Sequence, residues 1–226
     1  MIAFGTAVTD PEMYSRVGRA SIDRVAEPDS VVLVREGFDS IQEPYNELLD
    51  EATALPGLEA LVLLHQDIEL TDDSLLERAR PLLSDPRTGA IGPLGWRGMD
   101  LHRWSESGER LGRSVGPGVD IHHSAGPVEV EILDGVLLVL APWVVRSVRF
   151  DPRFATDFHG YDADFSMRVR AAGGRLFCSD LPYHHHMARP WRDRAQFIRA
   201  SVALARMWDP ALRPLEWAPD FRGGPG

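Results

Sequence analysis

The sequence predicts an α/β protein whose largely parallel sheet is covered by helices. Three observations predict it. Short apolar runs without alternation, at 2–8, 31–34 and 61–64, read as strands buried on both faces. Between them lie two stretches, 11–26 and 41–54, whose apolar residues recur at helical spacing. The links are short, and strand–helix–strand–helix–strand with short links is the pattern of right-handed parallel units.

The first helix carries Met13, Val17, Ala20, Ile22 and Val25, with Pro11 tolerated in its first turn. The second strand ends in Arg35-Glu36-Gly37. The second helix places Ile41, Tyr45, Leu48, Leu49 and Ala52 on one side. Ser40 with Glu43 three residues on suggests a capping box, and Pro56-Gly57 ends the helix. The third strand, 61–64, runs into His65-Gln66-Asp67. Ligands of open α/β sheets bind beyond the C-terminal strand ends. His65 and Asp67, two apart on a strand, share a side and can reach one cation. The same pair also suits a strand end whose polar residues simply face water.

A helix over 74–83 follows, with Asp72 or Asp73 as cap and Pro81 ending or kinking it, then a brief strand at 90–92. From 93 to 127 the chain is glycine-rich and lacks a sustained period, which predicts a long loop. His102, His122 and His123 read there as loop residues rather than ligands. The segment 128–140 returns as extended apolar chain interrupted by Asp134-Gly135. That interruption fits either a close approach of ligand to backbone or a plain turn between strands.

Asp162 and Asp164 open a helix that runs to 172 and is closed by Gly173-Gly174. Acids in a first turn suit the helix dipole, so capping competes with catalysis as their purpose. A strand at 175–178 delivers Tyr183-His184-His185-His186. On extended chain His184 and His186 face one way and His185 the other, and three adjacent imidazoles point towards metal. A last helix, 191–207, offers Phe197, Ile198, Val202, Leu204 and Ala205 as a core face. Its Arg192, Arg194 and Arg199 are left for solvent or phosphate. A single domain over 1–207 is expected, followed by a Pro/Gly-rich tail at 208–226.

Composition narrows the function. The net charge of −10, with every basic residue an arginine, counts against nucleic-acid partners. Cys178 is the only cysteine, so no disulfide forms within the chain; it reads as a small buried hydrophobe. There is no signal-peptide pattern, and the longest uncharged apolar run, 136–145, is too short to span a bilayer and contains Pro142. A cytoplasmic protein without a transmembrane segment is expected. No Gly-x-Gly-x-x-Gly follows the first strand and no P-loop occurs, so phosphates must be held by other means.

Three segments in this order resemble the family 2 glycosyltransferases. They are Tyr45-Asn46-Glu47 leading into Leu63-Leu64-His65-Gln66-Asp67; Leu133-Asp134-Gly135; and 158–168, Phe-His-Gly-Tyr-Asp-Ala-Asp-Phe-Ser-Met-Arg. Within that resemblance the chain is more similar to a glycosyltransferase-like branch with His-x-Asp in place of Asp-x-Asp. The resemblance implies a GT-A (Rossmann-like) fold with a mixed, mainly parallel sheet. It also implies a metal-dependent, inverting transfer of a sugar from a UDP-, GDP- or dTDP-sugar to an acceptor hydroxyl. Asp162 matches the catalytic base. Asp67 matches the metal-binding aspartate, with His65 beside it and His184 or His186 as the later ligand to Mn²⁺ or Mg²⁺. Asp134 and Gly135 would border donor sugar and acceptor, base and ribose would lie near Thr6 and Glu36, and Asn46 and Tyr161 would belong to the same nucleotide-sugar and acceptor site. Two departures from the family pattern, His65 for Asp and Tyr161 for Glu, also fit a non-catalytic nucleotide-sugar-binding module. The His/Asp cluster in turn fits a Zn²⁺ hydrolase.

Overall fold

The computed structural model describes residues 1–101, 107–124, 126–153, 159–186 and 194–209. His102, Trp104, residues 154–158, Trp191, Arg192 and the tail from 210 lie outside these, as does the side chain of Arg194.

A seven-stranded sheet forms the centre. Its strands, in spatial order, are β2 (Val31–Glu36), β1 (Ile2–Val8), β3 (Ala60–Leu64), β11 (Leu137–Leu140), β5 (Thr88–Gly92), β12 (Arg175–Cys178) and β9 (Val128–Val130). β2, β1 and β3 are parallel, as are β5 and β12, while β11 runs antiparallel between β3 and β5, and β9 antiparallel at the edge. Every residue of β3 is fully buried, which is why its sequence lacks alternation. Leu61 and Leu63 pack under α3 (Gln42–Thr53) and α5 (Pro142–Ser147). Val62 and Leu64 face the other layer with Tyr14, Ile22, Leu75 and Leu76.

That other layer contains one irregular helix. Pro11–Tyr14 (α1) and Ala20–Val25 (α2) are joined through a π-helical stretch, Ser15–Arg19. Within it Gly18 lies so close to the Gln66 carbonyl that a Cβ would sit 2.8 Å from the oxygen. α4 (Leu75–Leu83) completes the layer and contains Pro81 without being ended by it.

Three expectations need correction. Residues 93–127 are not a structureless loop: β6 (Leu94–Arg97), β7 (Glu109–Gly116) and β8 (Val119–His122) pair antiparallel, with β10 (Ile132–Leu133) on the outer side of β6. Glycines at positive φ, such as Gly112 and Gly118, shape this small sheet and erase the alternation that would have announced it. Ser40 does not cap α3, whose N-cap is Ile41 with no side-chain bond. In α7 (Arg194–Trp208) the buried face is Phe197, Ala200, Leu204 and Ala205, while Ile198 and Val202 are exposed. No described helix is long and apolar enough to cross a membrane.

Candidate functional site

The chain leaves β3 at Leu64 and folds into a tight turn before β4 (Ile68–Leu70). His65 N–H donates to the Val136 carbonyl (3.0 Å), and Ile68 N–H closes the turn on the His65 carbonyl (3.1 Å). Gln66 points away from its neighbours. Its Oε1 accepts the backbone N–H groups of Thr9 and Asp10, each at 2.8 Å. The middle residue of His-Gln-Asp therefore fastens the β1–α1 link, and the outer two are left for chemistry.

β13 (Tyr183–His185) lies antiparallel to β4, with His185 paired to Ile68 and His184 to Glu69. Alternation then decides which imidazole turns inward. Tyr183 is buried, and His185 shares its side. His185 Nε2 sits 3.1 Å from Asp67 Oδ2. His184 and His186, expected as ligands, face the other way. Their rings stack edge-on at 4.8 Å, and His186 Nε2 meets Glu69 Oε2 at 2.7 Å beside a depression lined by Arg16, Val17 and Arg24. The inward mark was in the sequence: Tyr183, an aromatic two residues before His185, names the core side.

His65, Asp67 and His185 each offer a ligand atom, all within 4.8 Å of one another. Two imidazole nitrogens and a carboxylate oxygen suit a divalent transition metal, which such donors hold at about 2.0–2.2 Å. Electrostatics agree. Burial works against the Asp67 charge, yet His185, chiefly through its hydrogen bond, outweighs it and holds the Asp67 pKa below the ordinary value. Burial pushes His65 down to about 4, Asp67 opposing, so the ring is neutral and able to ligate.

Beside this triad lies an acidic pair. α6 (Tyr161–Ala171) starts from Gly160 in left-handed conformation, without a side-chain cap. Asp162, released from capping, accepts Gly135 N–H at Oδ2 (3.1 Å) and Ala163 N–H at Oδ1 (2.8 Å). Burial, and then the nearby Asp134, raise Asp162 to about 7. Asp134 is itself raised by burial, although its carboxylate accepts Val136 N–H at 3.1 Å. The Asp134-Gly135 interruption is thus both a turn and a close approach: a Cβ on Gly135 would overlap the Tyr161 hydroxyl and lie 2.6 Å from its Cζ. Tyr161, almost fully buried, reaches His65 instead of open solvent, Oη to Nε2 at 2.6 Å.

Other expected binding residues are placed differently. Thr6 is fully buried on the sheet face that packs Tyr14. Asn46 is taken up by the Phe150 backbone, donating to its carbonyl and accepting its N–H. Glu36 lies at an open depression of about 380 Å³ at the ends of β1 and β2, shared with Val8, Thr9, Phe38 and Asp39. Asp164 is structural: Arg168 Nε (2.7 Å) and Trp208 Nε1 (2.8 Å) both donate to it.

Comparison with known proteins places the chain in a family. Residues 3–199 match the profile of a family described as Glycosyltransferase like family. The streptomycin biosynthesis protein StrF of Streptomyces griseus is 30% identical over 192 residues, 84% of this chain and 68% of StrF. Two solved structures share the fold at low identity. GalNAc-T7, crystallised with UDP, GalNAc and Mn²⁺, superposes with a TM-score of 0.63 at 13% identity, over 92% of this chain and 48% of that one. The mannosyltransferase PcManGT from Pyrobaculum calidifontis, in complex with GDP-Man and Mn²⁺, gives 0.52 at 15%, over 84% and 57%. The chain thus spans about half the length of these structural relatives. It is a glycosyltransferase of GT-A fold and belongs to the Glycosyltransferase like family.

Proposed function

We propose that the protein transfers a sugar from a nucleoside-diphosphate sugar to an acceptor hydroxyl with inversion, using Mn²⁺ or Mg²⁺ at His65, Asp67 and His185. The observation that carries this is the convergence of those three donors beside Asp162 at the C-terminal edge of β3. The bound cation would supply Lewis-acid stabilisation of the diphosphate leaving group. Two nitrogen donors favour Mn²⁺ over Mg²⁺.

The chain's own groups do the rest. Asp162 is the general base for the acceptor hydroxyl. Two backbone N–H groups hold its carboxylate in place, and each oxygen keeps a second lone pair. A pKa near 7 makes it a usable base at neutral pH. Asp134 borders the sugar and acceptor, and the depression at Glu36 takes the nucleoside. UDP-, GDP- and dTDP-sugars are the donor candidates. The domain over 1–207 carries all these groups, with Trp208 closing its last helix.

Thermal unfolding with UDP, GDP, dTDP or CMP, each with and without Mn²⁺, tests the reading. A ligand at 100 times its Kd adds about 2.7 kcal/mol by mass action. A shift with one nucleoside diphosphate that requires Mn²⁺ is expected. No shift with any nucleotide, with or without Mn²⁺, would overturn the metal-dependent reading of this site.

A further inference from the structure

We infer that Tyr161 is a positioning residue for the cation site: by accepting the Nε2–H of His65 it fixes the imidazole tautomer in which Nδ1 is the ligating atom. This rests on the cation reading above and adds a residue to it. A metal-binding imidazole is neutral and has one proton and one lone pair on its two nitrogens. Nε2 of His65 is engaged with Tyr161 Oη at 2.6 Å. Were the hydroxyl to donate there, the ring proton would sit on Nδ1 and neither nitrogen would have a lone pair to offer. Donation from Nε2–H to the hydroxyl oxygen is the arrangement compatible with ligation. Groups that hold the second nitrogen of a ligating histidine usually set its orientation and basicity.

The hydroxyl is held firmly in that place. The Tyr161 ring is walled by Tyr45 (centroids 6.0 Å) and Phe150 (6.1 Å), both fully buried. On the remaining side Gly135 leaves room that no other residue would leave. Gly135 N–H in turn donates to Asp162, so the base and the tautomer-setting hydroxyl are braced by one residue. Tyr161 and His65 therefore form a matched pair. An aspartate at 65 would have no tautomer to fix, and its carboxyl would end short of the point where Nε2 meets the hydroxyl.

The test is Mn²⁺ affinity, read from the electron paramagnetic resonance signal of free Mn²⁺, for the full chain and three variants. Tyr161→Phe keeps the ring packing and deletes only the hydroxyl. In the wild-type background it should weaken Mn²⁺ binding by roughly 10–100-fold, the usual effect of losing such a partner. In a His65→Asp background the same change should cost nothing further. Equal loss in both backgrounds would make Tyr161 merely structural and overturn the inference, as would no loss beside His65. Ring ¹⁵N shifts of His65 in the metal-free protein give a second readout: a proton on Nε2 is expected, and one on Nδ1 would refute it. Failure of the wild type itself to bind Mn²⁺ would bring down the cation reading and this inference with it, and is distinct from all these results.

Discussion

Asn46 and Phe150 are locked reciprocally: the Asn46 amide donates to the Phe150 carbonyl at 2.8 Å and accepts its N–H at 2.9 Å. One side chain from α3 thereby satisfies both polar groups of a backbone unit 104 residues away. Phe150 stacks face to face on Phe165 of α6 at 3.9 Å and tilts against Tyr45. Asn46→Ala should cost about 2 kcal/mol in urea unfolding, because two backbone groups lose their partners. The donor KM should not move, and a large rise in KM without loss of stability would return Asn46 to the nucleotide.

His185 and His184 should behave oppositely. His185→Ala removes a donor that meets Asp67 and should abolish measurable Mn²⁺ binding in calorimetry. His184→Ala, on the far side of β13, should bind Mn²⁺ as the wild type does. The reverse pattern would refute the inward assignment.

The pH dependence follows from Asp162. Burial first, and Asp134 second, raise its pKa to about 7. A base must be deprotonated, so kcat/KM should climb as pH rises through about 7 and then level. Asp134→Asn removes one of the two causes and should move the midpoint to lower pH. Asp162→Asn should abolish transfer and leave donor binding largely intact. Stability has the opposite sign. Because the folded pKa is raised, the contribution of this group is fully present below the unfolded value near 4 and is lost as pH rises through about 7. Activity and stability thus diverge in that window.

Arg168 carries two buried acids. It donates to Asp164 at 2.7 Å and to Asp151 at 2.6 Å, and both carboxylates are almost wholly enclosed. Removing one partner of a buried ionic group typically costs about 3–5 kcal/mol, so Arg168→Met should be severely destabilised in chemical unfolding. Burial already raises the Asp164 pKa against the pull of Arg168. In the variant that rise grows, the acid is more easily neutralised, and the loss of stability should shrink as pH is lowered. A loss that stayed constant with pH would show that packing, not charge, is what Arg168 supplies.

The central sheet was readable because burial on both faces leaves an unbroken apolar run, as at 61–64. The antiparallel sheet of β6, β7 and β8 was not, since glycine conformations that leave no periodic trace shape it. In the site, Asp67, His65 and Asp162 could be named from their places at a strand end and a helix start. Composition alone did not separate the later histidine from its neighbours; the mark lay in the alternation, with the aromatic Tyr183 two residues before His185 on the core side of β13. Thr6 and Asn46 lie on the elements expected, but only packing reveals that Thr6 faces the Tyr14 layer and that Asn46 is used by backbone. The exposed Ile198 and Val202 show the same limit: helical spacing places the two on one stripe without saying whether that stripe is the covered one.

The reversed direction of β11 has a consequence for folding. Its start lies beside the end of β3, Leu137 against Leu64, so the turn that precedes one strand meets the turn that follows the other. His65, Gly135 and Tyr161 thereby become neighbours, and the His185–Asp67 contact joins residues 118 positions apart. The contacts that join the parts of this site are long-range, and loops this long must close before it exists. Early folding intermediates with only the first three strands in place would have no cation affinity. Metal binding would therefore report completion of the whole chain reversal, and added Mn²⁺ should slow unfolding more than it speeds folding.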